Sequence, residues 1–375
     1  MAENNLNREL FNKIKALSSE LGFVACGCAK AGELTQEEYH YIAAEKEGRF
    51  GGMDYLKRNT EKRFNPALLV PGAKSVLVFL APFGSNKIIK QTPEQARQKP
   101  CRVAAASLNG KVPLVSEFAR GVDYHVVIKA RLLKILSLIN NETRVNGETN
   151  NIESKAAVAE RKTDGAGENV GLHSGRVFTD SAPILERAWA VRAGLGFIGK
   201  NNFLISPVCG IKNFIGVIIT TAVLPYYSSD CRDKENNECG SCAKCIEACG
   251  TGALYGSHIF DARKCLSYKT IEEKLECGNK SGFNGDCAGG ALCGKKTAWI
   301  FGCDDCMNAC PWNSKNREGW PEFRVNEKLL EGATAEWWQN LDEQKFERLF
   351  GETPLMRAGL KKIQDNVKKA CEENM

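Results

Sequence analysis

The residues best equipped for chemistry in this chain are cysteines. Cys239, Cys242, Cys245 and Cys249 are spaced C-x2-C-x2-C-x3-C, and Cys303, Cys306 and Cys310 form a second run ahead of Pro311. Two-residue gaps let a loop turn back and aim three sulfurs at one corner of a cubane, so this is ligand spacing for two [4Fe-4S] clusters. In two-cluster ferredoxins the fourth cysteine of each run serves the other cluster. On that pattern cluster 1 takes Cys239, Cys242, Cys245 and Cys310, and cluster 2 takes Cys249, Cys303, Cys306 and one further thiolate. Cys265 is the candidate for that ligand, with Cys277, Cys287 and Cys293 as alternatives. Zinc also uses C-x2-C pairs, but structural zinc sites are usually built from two separated pairs, and a continuous run of four favours iron and sulfur.

Composition agrees with an intracellular metalloprotein. Seventeen cysteines in 375 residues are too clustered, in too long a chain, for a secreted disulfide scaffold. The opening MAENNLNRELFNKIKALSSE has neither a signal-length apolar run nor a twin-arginine pair, and no stretch reaches membrane-spanning length. The cytoplasm, with no membrane association, is the expected setting. The formal charge is +6 from 51 basic and 45 acidic residues. Two clusters of about −2 each lower it to roughly +2, so overall charge does not single out nucleic acid.

Positioning these groups requires a scaffold. Leu10, Ile14, Leu17 and Leu21 recur at helical spacing over residues 6–21, and Phe23-Val24-Ala25-Cys26 reads as a short buried strand that makes Cys26 and Cys28 near-core thiols. Lys57, Arg58, Lys62 and Arg63 read as a solvated basic face. Ser75 to Leu80 is a buried strand, and the apolar segment within 121–140 a helix packed on a sheet. Residues 141–174 are polar and almost devoid of large apolar side chains, as in a mobile surface insertion. A strand over 176–180 leads to a helix opened by Ser181 as N-cap with Pro183 in its first turn, running to about Ala193. Residues 214–224 read as a central strand. The alternation predicts an α+β or α/β domain over residues 1–225. A ferredoxin-like two-cluster module over 226–320 and a helical tail over 321–375 follow, the tail carrying a Leu360, Ile363 and Val367 stripe among basic residues.

Three blocks carry a resemblance: Asp180-Ser181-Ala182-Pro183-Ile184-Leu185-Glu186-Arg187 through Gly199-Lys200-Asn201, Cys265-Leu266-Ser267-Tyr268-Lys269-Thr270-Ile271-Glu272, and Phe301-Gly302-Cys303-Asp304-Asp305-Cys306 ending in Cys310-Pro311-Trp312-Asn313. In this order they resemble epoxyqueuosine reductases, over most of residues 5–365. The resemblance implies a cobalamin-binding α/β domain fused to a bacterial-ferredoxin-like module. It also implies reduction of epoxyqueuosine to queuosine in the tRNA anticodon loop, with electrons passing through two [4Fe-4S] clusters to cobalamin from an external low-potential donor. Asp180 stands where the family has its proton donor. Arg63, Asp180, Lys200, Asn201, Leu204, Ile215, Leu266 and Asp304 are the implied cobalamin contacts. His125, in Asp123-Tyr124-His125, is the histidine to watch, although a structural role is the simpler expectation. A monomer is expected.

The chain departs from the family pattern in the insertion, in the cysteine-bearing loop at 277–294 and in lacking C-terminal helical repeats, which leaves the grip on tRNA without its usual surface. Two rival readings remain. A reductive dehalogenase would share the cofactors but usually carries a twin-arginine signal. A plain electron carrier would have no use for the preceding 225 residues.

Overall fold

A computed structural model describes residues 2–84, 113–142, 174–227, 238–274 and 298–372. Its strands are β1 (Ala25–Lys30), β2 (Ser75–Pro82), β3 (Leu114–Val115), β4 (Gly175–Phe178), β5 (Phe197–Ile198), β6 (Leu204–Ile205), β7 (Asn213–Thr220), β8 (Leu254–Gly256), β9 (Ile259–Phe260) and β10 (Trp299–Phe301). The helices that position the site are α1 (Ala2–Glu20), α2 (Tyr124–Glu142), α3 (Glu186–Arg192), α4 (Lys244–Ala248), α5 (Leu266–Ile271), α6 (Asp305–Asn308) and α7 (Gly359–Glu372).

Every residue of β2 is buried. Its side chains alternate between two cores, Leu77, Phe79 and Ala81 facing one and Val76, Val78 and Leu80 the other. A strand covered on both faces reads as an unbroken apolar run, which is why the sequence reveals it. On one face Leu10 and Ile14 of α1 join Ile128, Leu132 and Ile135 of α2. Each such fully buried side chain contributes roughly 1.5–3 kcal/mol. On the other face lie Trp189 and Ala190 of α3. Gly216 of β7 lets α2 come close, since a Cβ there would stand 3.0 Å from both Ile128 and Leu132.

The main sheet runs β1-β2-β7-β4, and all three of its pairings are antiparallel. The body is therefore α+β in character, a sheet with helices on both faces, and not a succession of parallel βαβ units. Periodicity reports that a strand is covered on two faces but not which way its neighbours run, so this choice was invisible in the sequence.

Three local expectations are displaced. The first strand begins at Ala25, and Phe23 is a core residue ahead of it. Cys28 is buried and Cys26 partly so, and burial pushes both thiols up to about 12. Arg63 does not belong to a solvated face: it is buried, while Lys57, Arg58 and Lys62 are exposed. The helix expected from Ser181 starts only at Glu186, and Ser181 caps nothing. Asp180 adopts a left-handed backbone, with φ 53°. The Ser181 N–H then donates to Thr179 O at 2.6 Å and Ile184 N–H to Ala182 O at 2.8 Å. Tight turns thus replace the first helical turn.

The cysteine-bearing module is sewn to this body. β10 pairs in parallel with β3. The Ala262 N–H donates to Arg49 O at 2.9 Å and the Gly52 N–H to the Tyr268 hydroxyl at 2.8 Å. The chain then returns: Trp320 and Phe323 lie in the α1/α2 core, and Trp320 Nε1 donates to Gly22 O at 2.8 Å. In the tail, Leu360, Ile363 and Val367 of α7 pack with Trp338, Phe346 and Phe350 on Ile300 and Phe301 of β10. The predicted stripe is therefore a docking face. Lys361, Lys368 and Lys369 remain exposed, whereas Lys362 is buried and donates to Glu273 O at 2.6 Å. Most of the expected insertion (143–173), together with Cys277, Cys287 and Cys293, lies outside the described residues. Among the described residues no helix is long and apolar enough to cross a membrane.

Candidate active site

The folded chain gathers eight cysteines into two groups. Cys310 lies within electrostatic reach of Cys239, Cys245 and Cys242, and these four line one recess with Lys200, Asn201 and Trp312. Cys306, from α6, faces Cys265 and Cys249, and Cys303 faces Cys306. α4, which carries Cys245 and leads to Cys249, packs against α6, and so holds the two groups side by side. Cys265 is placed by the β8–β9 hairpin and by its position at the N-terminus of α5.

Burial, and then repulsion among neighbouring thiolates, raises the pKa of Cys310 to about 11. The same two causes raise Cys306, whose neighbours are Cys265 and Cys249. Thiols crowded and desolvated in this way become thiolates when a cationic centre compensates them. Among the described residues no three His, Cys, Asp or Glu side chains converge on a point suited to one ion. Four cysteines lining one recess offer the four thiolates that an iron–sulfur cubane takes.

A second concentration of chemistry surrounds Asp180. Its side chain is 57% accessible, yet charged groups approach it from α2, from α3 and from the tail. The left-handed turn that displays it costs a non-glycine residue about 1 kcal/mol or more, a strain found where function demands a particular side-chain placement. Thr179 anchors the turn by donating its hydroxyl to Ile215 O at 3.1 Å. The Tyr124 hydroxyl donates to Asp180 Oδ2 at 2.6 Å, and His125 Nε2 stands 3.4 Å from the same oxygen. His125 Nδ1 lies 2.6 Å from Asp123 Oδ1. Burial pushes Asp180 upward, but the bonds from His125 and Tyr124 outweigh it and hold the carboxyl below the usual range. Burial likewise opposes protonation of His125, but its bonds to Asp123 and Asp180 prevail and raise it to about 9.

Glu186 adds a second carboxyl. One of its oxygens, Oε1, is buried with no hydrogen-bond partner among the described residues, and burial followed by the charge of Asp180 lifts it to about 7. From the tail, Arg357 reaches back to pair with Glu272 at 2.7 Å, lies 5.6 Å from the Tyr55 ring centroid and adds positive potential at Asp180.

Of the residues expected to contact a corrin, Leu204 and Ile215 pack in one hydrophobic cluster, and Lys200 and Asn201 line one recess. Ile215 is partly buried beside the Asp180 turn, and Leu266 adjoins Cys265. Leu204 is buried in β6. Lys200 Nζ donates to Gly240 O at 2.7 Å and Cys242 O at 3.1 Å, so it cinches the first cysteine loop, and Asn201 lines the same recess. Arg63 donates to Leu56 O at 3.2 Å and Tyr55 O at 3.0 Å. Asp304 is buried and turned inward, accepting from the Ser116 hydroxyl and from Glu117 N–H at 2.8 Å. Sequence reasoning singled out Asp180 and His125, gave no role to Tyr124, Asp123 or Glu186, and counted Arg357 only among the basic residues around the tail stripe. Asp123 and Tyr124 directly precede His125, and a tyrosine and an acid beside a histidine are a readable signal. Nothing local marks Arg357.

Comparison with known proteins places this arrangement. A curated epoxyqueuosine reductase from Cellulophaga algicola is 31% identical over 95% of this chain and 97% of its own length. The chain belongs to the epoxyqueuosine reductase family. Residues 63–158 match the family described as "Epoxyqueuosine reductase QueG, DUF1730". Residues 238–313, a range that contains all eight gathered cysteines, match the 4Fe-4S double cluster binding domain. The fold is shared with an epoxyqueuosine reductase crystallised with an epoxyqueuosine-modified tRNA-Tyr stem loop (TM-score 0.70, 21% identity, 97% of this chain and 81% of that one). It is shared too with a Bacillus subtilis epoxyqueuosine reductase described with its catalytic aspartate loop swung out of the active site (TM-score 0.67, 22% identity, 97% and 82%).

Proposed function

We propose that this chain reduces epoxyqueuosine to queuosine in the anticodon loop of tRNA, with Asp180 handing the proton to the departing epoxide oxygen. The observation that carries the reading is the Asp180 turn. An accessible carboxyl is presented on a left-handed backbone and gripped by Tyr124 and His125, in a chain that also assembles two four-cysteine groups. Family membership supports the substrate, since relatives at 31% identity bear that activity in their names.

Cluster 1 is assigned to Cys239, Cys242, Cys245 and Cys310, and cluster 2 to Cys249, Cys265, Cys303 and Cys306. The cobalamin fit rests on the groups beside Asp180: Glu186 has a buried oxygen without a partner among the described residues, suited to an amide N–H of the corrin rim. Ile215 and Leu266 offer apolar contact. Arg63, Lys200, Asn201, Leu204 and Asp304 are the remaining proposed contacts; Arg63 and Lys200 each retain N–H groups beyond those they donate to the protein. When bound, these groups supply low-potential electrons and a cobalt centre able to reduce the epoxide, drawing on an external donor. The protein's own part is to orient the nucleoside over Asp180, to deliver protons there, and to hold positive charge at Arg357 near the substrate's phosphates. We take the enzyme to act as a cytoplasmic monomer.

The test is direct. Anaerobically reconstituted protein is mixed with cobalamin, a reductant and epoxyqueuosine-containing tRNA, and the nucleosides are analysed. Queuosine is expected. Its absence, with clusters and bound cobalamin verified by absorption, would overturn the reading.

A further inference from the structure

Removing an epoxide oxygen as water has a fixed balance. Two C–O bonds break, a C=C bond forms, and two electrons and two protons are consumed. The electrons come from the external low-potential donor of the proposed function. A single carboxylic acid supplies one proton, and Asp180 is a poor store even for that one. Its Oδ2 accepts from the Tyr124 hydroxyl at 2.6 Å and faces His125 Nε2 at 3.4 Å, both of which favour the ionised carboxylate.

The same contacts show where a proton resides. The His125 ring is strung between two carboxylates, Asp123 at 2.6 Å from Nδ1 and Asp180 at 3.4 Å from Nε2. An imidazole between two anions carries a proton on each nitrogen. Asp123 is itself fixed: its Oδ1 also accepts from His125 N–H at 2.9 Å, and its own N–H donates to Glu352 O at 2.7 Å. The Tyr124 ring stacks on the imidazole at 4.2 Å. The other charged groups at the pair are Arg357, which favours the ionised form of Asp180, and Glu186 and Arg187 on α3. The charge of the Asp180 carboxylate in turn helps to keep the Glu186 carboxyl protonated.

We propose that His125 stores the protons that Asp180 delivers, and that Asp123 is the positioning residue that keeps the imidazole charged and aimed. The proposal rests on the functional reading above. For each proton, the N–H bond at Nε2 breaks as an O–H bond forms on Asp180, and Asp180 then protonates the oxygen leaving the substrate. Neutral His125 is recharged from solvent, to which its side chain is 27% exposed, before the second proton follows the same route. The raised pKa of His125 agrees with this storage role.

Two measurements test it. The first is a ¹H–¹⁵N titration of the oxidised, cluster-loaded protein with labelled histidine; there are four histidines, and His125 is assigned by its absence from His125→Gln. His125 is expected to titrate near pH 9 and to fall by a unit or more in Asp123→Asn. Titration of His125 near the ordinary value of about 6.5 would overturn the proposal, and a wild type in which none of the four histidines titrates near pH 9 would overturn it without any variant. The second is the pH profile of single-turnover queuosine formation. The wild type should lose rate as pH rises through about 9, Asp123→Asn should lose it at lower pH, and His125→Gln should be slower by roughly 100-fold or more with unchanged cluster absorption. A His125→Gln enzyme within about threefold of wild type, with the same basic limb, would refute the relay. A wild type that forms no queuosine at any pH would instead overturn the functional reading, and the titration would still report on the His125 pair.

Discussion

Asn366 links the tail to the second cysteine group, and replacing it by leucine should loosen that group selectively. The residue is buried on α7, and its Nδ2 donates to Thr270 O at 3.0 Å and to Ile300 O at 2.9 Å. Thr270 lies on the helix that starts after Cys265, and Ile300 on the strand that runs into Cys303. The Thr270 hydroxyl also accepts from Gly302 N–H at 3.0 Å, so one side chain braces both ligand-bearing segments. Leucine keeps nearly the same volume, which confines the loss to hydrogen bonding. Two buried carbonyls that each lose a donor cost about 1–2 kcal/mol apiece, so the local opening free energy should fall by roughly 2–4 kcal/mol. At a factor of ten per 1.4 kcal/mol this is about 30-fold to several hundred-fold faster amide exchange. Hydrogen–deuterium exchange read by mass spectrometry on peptides covering residues 299–303 should show it, with peptides from β7 unchanged. Protection retained at 299–303, or lost equally in β7, would refute the idea that Asn366 acts as a local brace.

Other consequences follow from the same geometry. Gly121→Ala would drive a Cβ to 2.2 Å from Phe323 C and 2.3 Å from Glu322 O, backbone atoms with little room to yield. It should cost about 1–3 kcal/mol and shift Asp123 and His125, seen as a lower thermal midpoint together with loss of the raised His125 titration. Because the folded-state pKa of His125 is raised to about 9, its stabilisation is complete below its unfolded value of 6.5 and is lost as pH rises through 9. The stability difference between wild type and His125→Gln in urea should therefore shrink across that window. Asp123 and Asp180 have depressed values, so their contribution is present above 3.8 and disappears as pH falls through the depressed folded values. Cys265→Ala and Cys310→Ala should each damage a different cluster, removing about half of the cluster absorption and the coupled two-cluster magnetic signal. An intact two-cluster spectrum in Cys265→Ala would exclude that residue as a ligand.

Much of this protein is legible without coordinates wherever one local pattern dictates one outcome. The run Cys239 to Cys249 reads as cluster ligands because two-residue gaps leave few ways to orient the sulfurs. Ser75 to Leu80 reads as a buried strand because both of its faces are apolar, and Leu360, Ile363 and Val367 read as a packed helix face. Local reasoning failed at Ser181, where N-cap chemistry lost to the left-handed turn at Asp180, and at Arg63, whose guanidinium is taken up by the carbonyls of Tyr55 and Leu56. The sequence by itself determined the inventory: which cysteines can ligate, which strands are covered, and which aspartate stands in the family's motif. Only the tertiary structure decided the associations. It set Cys265 beside Cys249 and Cys306, strung His125 between Asp123 and Asp180, brought Arg357 back from the tail, and ran the main sheet antiparallel. The reason is physical. Spacing and periodicity constrain atoms only a few bonds or one helical turn apart, whereas all of these encounters except that of His125 with Asp123 join segments far apart in the chain, and packing of the cores between them sets their distances.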